Sequence, residues 1–128
     1  MTEQSARILV VDDEDYFLEI VCRRLSRIGH ECYTANSAEQ AAEMLEDNGI
    51  DLMLLDILMP QKSGLEFLRE ALQLQPGMAI AMVSAVMDPR VAMQARRMGA
   101  IDFLKKPMSM DQLAMRVDMM LEWRRRRN

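Results

Sequence analysis

The sequence predicts an α/β fold, a doubly wound (βα)5 arrangement built on a five-stranded parallel sheet, and three observations predict it. Short apolar runs alternate with longer amphipathic stretches from Ile8 to the end of the chain, the pattern of strands interleaved with helices. Glycines or helix-capping residues punctuate the boundaries between runs, as turns between packed elements require. Half of the residues are hydrophobic and only 5% aromatic, enough Leu, Ile, Val, Ala and Met to cover both faces of one sheet.

The first strand is expected over residues 8–11, followed by a helix over about 15–28. A second strand over 32–35 precedes a helix over 38–47, and a third over 52–55 precedes one near 64–74. The fourth pair is 79–83 and 89–98, and the fifth is 103–104 and 110–125. Gly29, Gly49, Gly77 and Gly99 each fall just after a helical stretch, where a left-handed residue ends a helix at little steric cost. Ser37 with Gln40, Ser63 with Glu66 and Ser109 with Gln112 have the spacing of capping boxes, in which hydroxyl and N3 side chain satisfy each other's orphan amides. Asp88 before Pro89 marks the fourth helix start, since proline is tolerated at the first helical position.

The length of 128 residues suits one domain over 1–128, with a core of about 7–123 and residues 124–128 as a basic tail or linker start. Arg124 to Arg127 either complement the carboxyl end of the last helix or begin that linker. A formal charge of −4 argues against a general nucleic-acid binder. No stretch approaches the roughly 18 consecutive apolar residues of a membrane span, and the amino terminus has no signal pattern, so a soluble, cytoplasmic protein with no membrane partner is expected. Cys22 and Cys32 have no metal-type spacing and read as two reduced core thiols in preference to a disulfide. Fourteen methionines supply adaptable packing.

Ligands of open doubly wound sheets bind outside the carboxyl ends of the strands. Asp12 and Asp13 follow the first strand there, Asp56 the third, Ser84 the fourth and Lys106 the fifth, while the second offers only Asn36. Three carboxylates at one pole repel one another unless a cation lies among them, and a hard ion such as Mg2+, with Mn2+ as a substitute, takes this donor set. Lys106 adds a compact positive charge and Ser84 a hydroxyl, the groups that an incoming phosphoryl group needs. The constellation reads as phosphoryl transfer to a carboxylate.

From Ile8 to about Trp123 the chain resembles the receiver domains of two-component response regulators. The resemblance rests on Ile8-Leu9-Val10-Val11-Asp12-Asp13-Glu14, Asp56-Ile57-Leu58-Met59-Pro60 with Gly64, Ser84-Ala85, Gly99-Ala100 with Asp102-Phe103-Leu104, and Lys106-Pro107, all in order. It implies a flavodoxin-like strand order 2-1-3-4-5. It also implies that Asp56 accepts a phosphoryl group from a sensor histidine kinase or phosphotransfer protein. Mg2+ would then be held by Asp12, Asp13, Asp56 and the backbone carbonyl of Leu58. Lys106 is implied as the phosphate-pairing lysine, with Lys105 pointing away and the Lys106–Pro107 bond a candidate for the cis form. Ser84 and Phe103 are implied as switch residues that couple the site to the surface of the fourth helix, fifth strand and fifth helix, where a homodimer or a downstream output domain would respond. Beyond catalysing its own phosphorylation, such a domain is no conventional enzyme. Leu58 and Val86, two residues after Asp56 and Ser84, lack water-orienting side chains, which implies slow autodephosphorylation.

Plainer readings stand beside these. The acids Asp12 to Asp15 suit a helix start by themselves, and Phe103 suits a core position as well as a switch. Tyr16, Phe17 and Ile20 are either ordinary packing or a kinase-docking patch. A small phosphatase of the haloacid dehalogenase type shares the acidic start at Asp13-Glu14-Asp15, but Phe17 stands where that class has Thr or Val and the Asp56 loop goes unused. A phosphorylation-independent interaction module is the remaining alternative.

Overall fold

The computed structural model describes residues 5–86 and 88–127. Its elements alternate as β1(Arg7–Val11), α1(Asp15–Arg27), β2(Glu31–Ala35), α2(Ala38–Asp47), β3(Leu52–Leu55) and α3(Gly64–Leu74), then β4(Ala79–Ser84), α4(Pro89–Arg97), β5(Asp102–Lys105) and α5(Met110–Arg127). The five strands form one sheet in the order β2-β1-β3-β4-β5, and every adjacent pair is parallel. The expected fold class and strand order are therefore met.

The core divides by strand parity, because successive side chains point to opposite faces of a sheet. Leu9, Val11, Met53, Leu55, Ile80 and Met82 meet Ala41, Leu45, Phe67, Leu68 and Ala95 of α2, α3 and α4. Ile8, Val10, Leu52, Leu54, Ala81 and Val83 meet Leu18, Val21 and Leu25 of α1 and Leu113, Val117 and Leu121 of α5. Central β3 and β4 are buried on both faces throughout, which is why their sequences read as continuous apolar runs rather than alternating ones.

Helix caps follow the expectation in three of four cases. Ser63 and Glu66 form a reciprocal capping box, Ser109 and Gln112 exchange the same pair of bonds, and the Asp88 side chain accepts from the Arg90 amide. Ser37 accepts from Gln40, but the Gln40 side chain accepts from the Asn36 amide instead of closing the box. Among the expected helix-ending glycines only Gly29 and Gly99 have positive φ. Helix α2 ends on an extended Asn48, and α3 ends on Gln75, whose side chain accepts from the Ile50 amide and donates to the carbonyls of Leu45 and Asn48.

The cysteine expectation is overturned. Cys22 of α1 and Cys32 of β2 form a disulfide with Cα atoms 5.5 Å apart, inside the span a disulfide bridges. Residues ten apart in sequence meet because α1 lies back against β2, a contact that cysteine spacing does not encode. The Arg124–Arg127 segment is the last turn of α5, not a separate tail; Arg124 pairs with Asp51 and donates to the Gly77 carbonyl. Asn128 lies outside the described residues.

Candidate functional site

The carboxyl ends of the strands carry the site because the backbone ladder runs one residue past each strand. The Asp12 amide donates to the Ala35 carbonyl at 3.1 Å, that of Asp56 to Val11 at 3.0 Å, and that of Lys106 to Ser84 at 2.9 Å. Each side chain is thus fixed at the rim by sheet hydrogen bonding rather than by a free loop. Past Asp56, the Gly64 amide donates to the Ile57 carbonyl at 2.8 Å. A Cβ on Gly64 would stand 2.1 Å from the Asp56 carbonyl oxygen, so only glycine lets α3 start this close to the Asp56 loop. Gln61, with φ of 74°, makes the left-handed turn of that loop, a feature that no sequence signal announced.

Asp12, Asp13 and Asp56 come together as expected, each with a carboxylate oxygen within 4.8 Å of the others. Asp12 and Asp56 are buried and Asp13 is exposed. The Asp12 carboxylate accepts from the Glu14 amide and Asp56 accepts from the Leu58 amide. Lys106 projects into this group. Its Nζ lies 2.7 Å from Asp12 Oδ2, 2.9 Å from Glu14 Oε1 and 3.5 Å from Asp56 Oδ2, and the Phe17 ring centroid is 4.3 Å away. Glu14 as a second acceptor for Lys106 and Phe17 as its aromatic neighbour were not foreseen, because both contacts cross from β5 to the start of α1.

Burial pushes the Asp12 carboxyl above its ordinary range; hydrogen bonds from Lys106 and the Glu14 amide oppose this, while the nearby Asp56 charge adds to it. For Lys106 burial works downward, but hydrogen bonds to Asp12 and Glu14 with the charges of Asp12 and Asp56 outweigh it, so its ammonium is held above the ordinary lysine range. One ammonium faces four carboxylates. A pocket with this excess of oxygen donors fits a hard divalent cation that keeps part of its water shell.

Ser84 ends β4 fully buried, its hydroxyl accepting from the Val86 amide at 3.3 Å. Lys105 is exposed and Lys106 is the inward lysine, as the alternation of side chains required, and the Lys106–Pro107 bond is cis. Phe103 is half-buried against the α2–α4 side of the core. Phe17 and Ile20 pack against the α1–α5 side, whereas Tyr16 is 74% exposed. The side chains of Leu58 and Val86 are exposed beside the site, and the Asn36 amide donates to the Gln40 side chain of α2.

An acidic rim with one inward lysine thus lies at the carboxyl ends of a parallel sheet ordered 2-1-3-4-5, the place where doubly wound α/β domains bind their ligands. The family description "Response regulator receiver domain" matches residues 8–118, and the chain belongs to that family, the receivers of two-component signal transduction. It is 36% identical over 123 residues to the alginate biosynthesis transcriptional regulatory protein AlgB of Pseudomonas aeruginosa, covering 96% of this chain and 27% of AlgB. It is 34% identical over 113 residues to the transcriptional regulatory protein ZraR of Escherichia coli, covering 88% of this chain and 26% of ZraR. The chain thus spans about a quarter of the length of these relatives. Among solved structures, a CheY-like receiver domain protein from Methanospirillum hungatei superposes with a TM-score of 0.92 at 28% identity, covering 96% of this chain and 98% of that one. NtrX from Brucella abortus gives 0.90 at 34% identity, covering 96% of this chain and 28% of NtrX. Among the described residues, no helix is long and apolar enough to cross a membrane.

Proposed function

We propose that Asp56 is the phosphoacceptor, taking a phosphoryl group from phosphohistidine of a sensor kinase or phosphotransfer protein. The observation that carries the reading is Asp56 itself, a buried carboxylate with a lysine ammonium at 3.5 Å and two further carboxylates at hand. A carboxylate oxygen of Asp56 attacks phosphorus; the new P–O bond forms as the P–N bond of the donor breaks, and the imidazole nitrogen keeps the electron pair and takes up a proton. Asp12, Asp13, Asp56 and the Leu58 carbonyl would hold Mg2+, or Mn2+ in its place. A bound dication neutralises the charge spread over the phosphoryl oxygens in the loose transition state. Lys106 pairs with one of those oxygens, and Lys105, exposed on the other side, takes no part.

The phosphorylated carboxylate adds negative charge and acceptor oxygens at the rim. Ser84 gives up the Val86 amide and donates to the new oxygens, and Phe103 follows into the space it leaves. That movement reshapes the surface of α4, β5 and α5, a two-state equilibrium biased by one local charge. A second copy of the domain or an attached output domain reads this surface. Leu58 and Val86 are apolar and orient no water, so the phosphorylated state lasts minutes or longer. The cytoplasm, where phosphohistidine kinases present their donor side, is the compartment this chemistry needs.

The test is incubation with acetyl phosphate and Mg2+, followed by intact mass. The wild type gains one phosphoryl group and D56N gains none. A wild type that stays unmodified leaves only the phosphorylation-independent module.

A further inference from the structure

Lys106 is caged by four groups of two kinds, three carboxylates and one aromatic ring. Asp12, buried to 1% exposure, and Glu14, 65% exposed, accept two of its N–H groups, and Asp56 at 3.5 Å faces the third. The remaining side is covered by the Phe17 ring at 4.3 Å from Nζ, which brings the lysine side chain down to 13% exposure. An ammonium over an aromatic face is attracted by the ring quadrupole without giving up a hydrogen-bond donor. The longest of its three polar contacts, to Asp56, is therefore the one left for an incoming oxygen. A carboxylate or amide oxygen at the Phe17 position would hold the lysine too, but would occupy an N–H and, if charged, would repel a phosphoryl group. An aliphatic side chain there would exclude water and supply no attraction.

We propose that Phe17 is a positioning residue for phosphoryl transfer, its ring pinning the Lys106 ammonium so that one N–H stays directed at Asp56 and free for a phosphoryl oxygen. This rests on the reading of Asp56 as acceptor. It assigns the inward aromatic of the α1 start to the chemistry of the site, and Tyr16 alone to the open surface. Phe17 lies at the first turn of α1, and Phe17 and Lys106 are 89 positions apart; they meet because β5 pairs beside β4 and the Lys106 side chain, one residue past β5, reaches back to the start of α1.

The test compares the wild type with F17L and F17Y, both checked for an unchanged melting temperature. Two readouts are taken: the rate of phosphorylation by acetyl phosphate with Mg2+, which needs no kinase docking, and the proton chemical shifts of the Lys106 ε-methylene in the unphosphorylated protein without metal. In the wild type the ring current shifts those protons upfield; F17L abolishes the shift and lowers the rate about fivefold, and F17Y restores both. The proposal is overturned if F17L phosphorylates at the wild-type rate, if F17Y is as slow as F17L, or if the wild-type methylene shows no ring-current shift. A wild type that gains no phosphoryl mass would overturn the acceptor reading and this proposal with it, and is told apart from failure of Phe17 alone by the wild-type mass spectrum. Where F17L melts lower, F17M serves as the aliphatic variant, judged by the same two readouts.

Discussion

The two ends of the sheet treat charge in opposite ways. At the amino end charges are paired one to one, Arg7 with Glu31 and Arg124 with Asp51, and the buried neutral His30 accepts the Ala6 amide through Nδ1 at 3.1 Å. At the carboxyl end Asp12, Asp56 and Glu14 share one ammonium with Asp13 beside them, and two of the four acids are buried. A pole with balanced charge has only stability to supply, and surface pairs supply little of it. A pole with surplus buried charge is costly to fold, and its cost is recovered only when a cation or a reaction uses it. The difference locates function without reference to any relative.

Removing the one cation at the site should break the comparison most strongly. K106M leaves buried Asp12 without its partner and is expected to lower unfolding free energy by about 3 kcal/mol in EDTA, a loss that Mg2+ narrows in urea titrations. Equal stability of K106M and wild type in EDTA would show the acidic pole to be electrostatically slack. The disulfide comes next, tying α1, which leads away from the site, to the amino half of β2. Closing a loop of about ten residues is worth about 2 to 3 kcal/mol in the chain-entropy account, so dithiothreitol or the C22S/C32S pair should lower the melting temperature while phosphorylation by acetyl phosphate persists. A melting temperature indifferent to reductant argues against that bond in solution.

At the amino end, Q75A removes an acceptor for the Ile50 amide and a donor to two carbonyls, and is expected to cost about 1 to 2 kcal/mol with no change in phosphorylation rate. A slower rate would mean that the two poles are coupled. The smallest effect belongs to His30, the only histidine. Burial holds its folded value below the ordinary 6.5, with Asp118 opposing. The unfolded chain therefore binds more protons, so the stability from neutral His30 is fully present above pH 6.5 and is lost as pH falls through the folded value. H30N, which keeps an acceptor for the Ala6 amide, should flatten that decline between neutral and mildly acidic pH, read as melting temperature against pH; an unchanged slope would assign it to other groups.

Most of the fold was legible because its signals are local. The capping residues at Ser63, Asp88 and Ser109 and the apolar runs of β3 and β4 placed those elements nearly to the residue, with β5 the most shortened, extending to Asp102 and Lys105. Asp12, Asp13, Asp56 and Lys106 were legible because a parallel sheet must bring the residues after its strands to one rim. Glu14 on Lys106, the Phe17 ring and the Arg116–Asp102 ion pair were not, since each joins side chains whose approach depends on how a helix is rotated against the sheet. The cysteine pairing failed for the same reason.

What the sequence by itself determined was the alternation of elements, the parallel sheet and the chemical identity of the rim, because hydrophobic period and capping act over a few residues and strand ends collect at one pole. Only the tertiary structure decided which carboxylates share the ammonium of Lys106, that an aromatic ring covers it, and that Cys22 meets Cys32. Those contacts are set by how α1 packs against β2 and how the residue after β5 reaches the start of α1, and a difference of one or two ångströms in that packing, invisible in residue order, separates a bond from none.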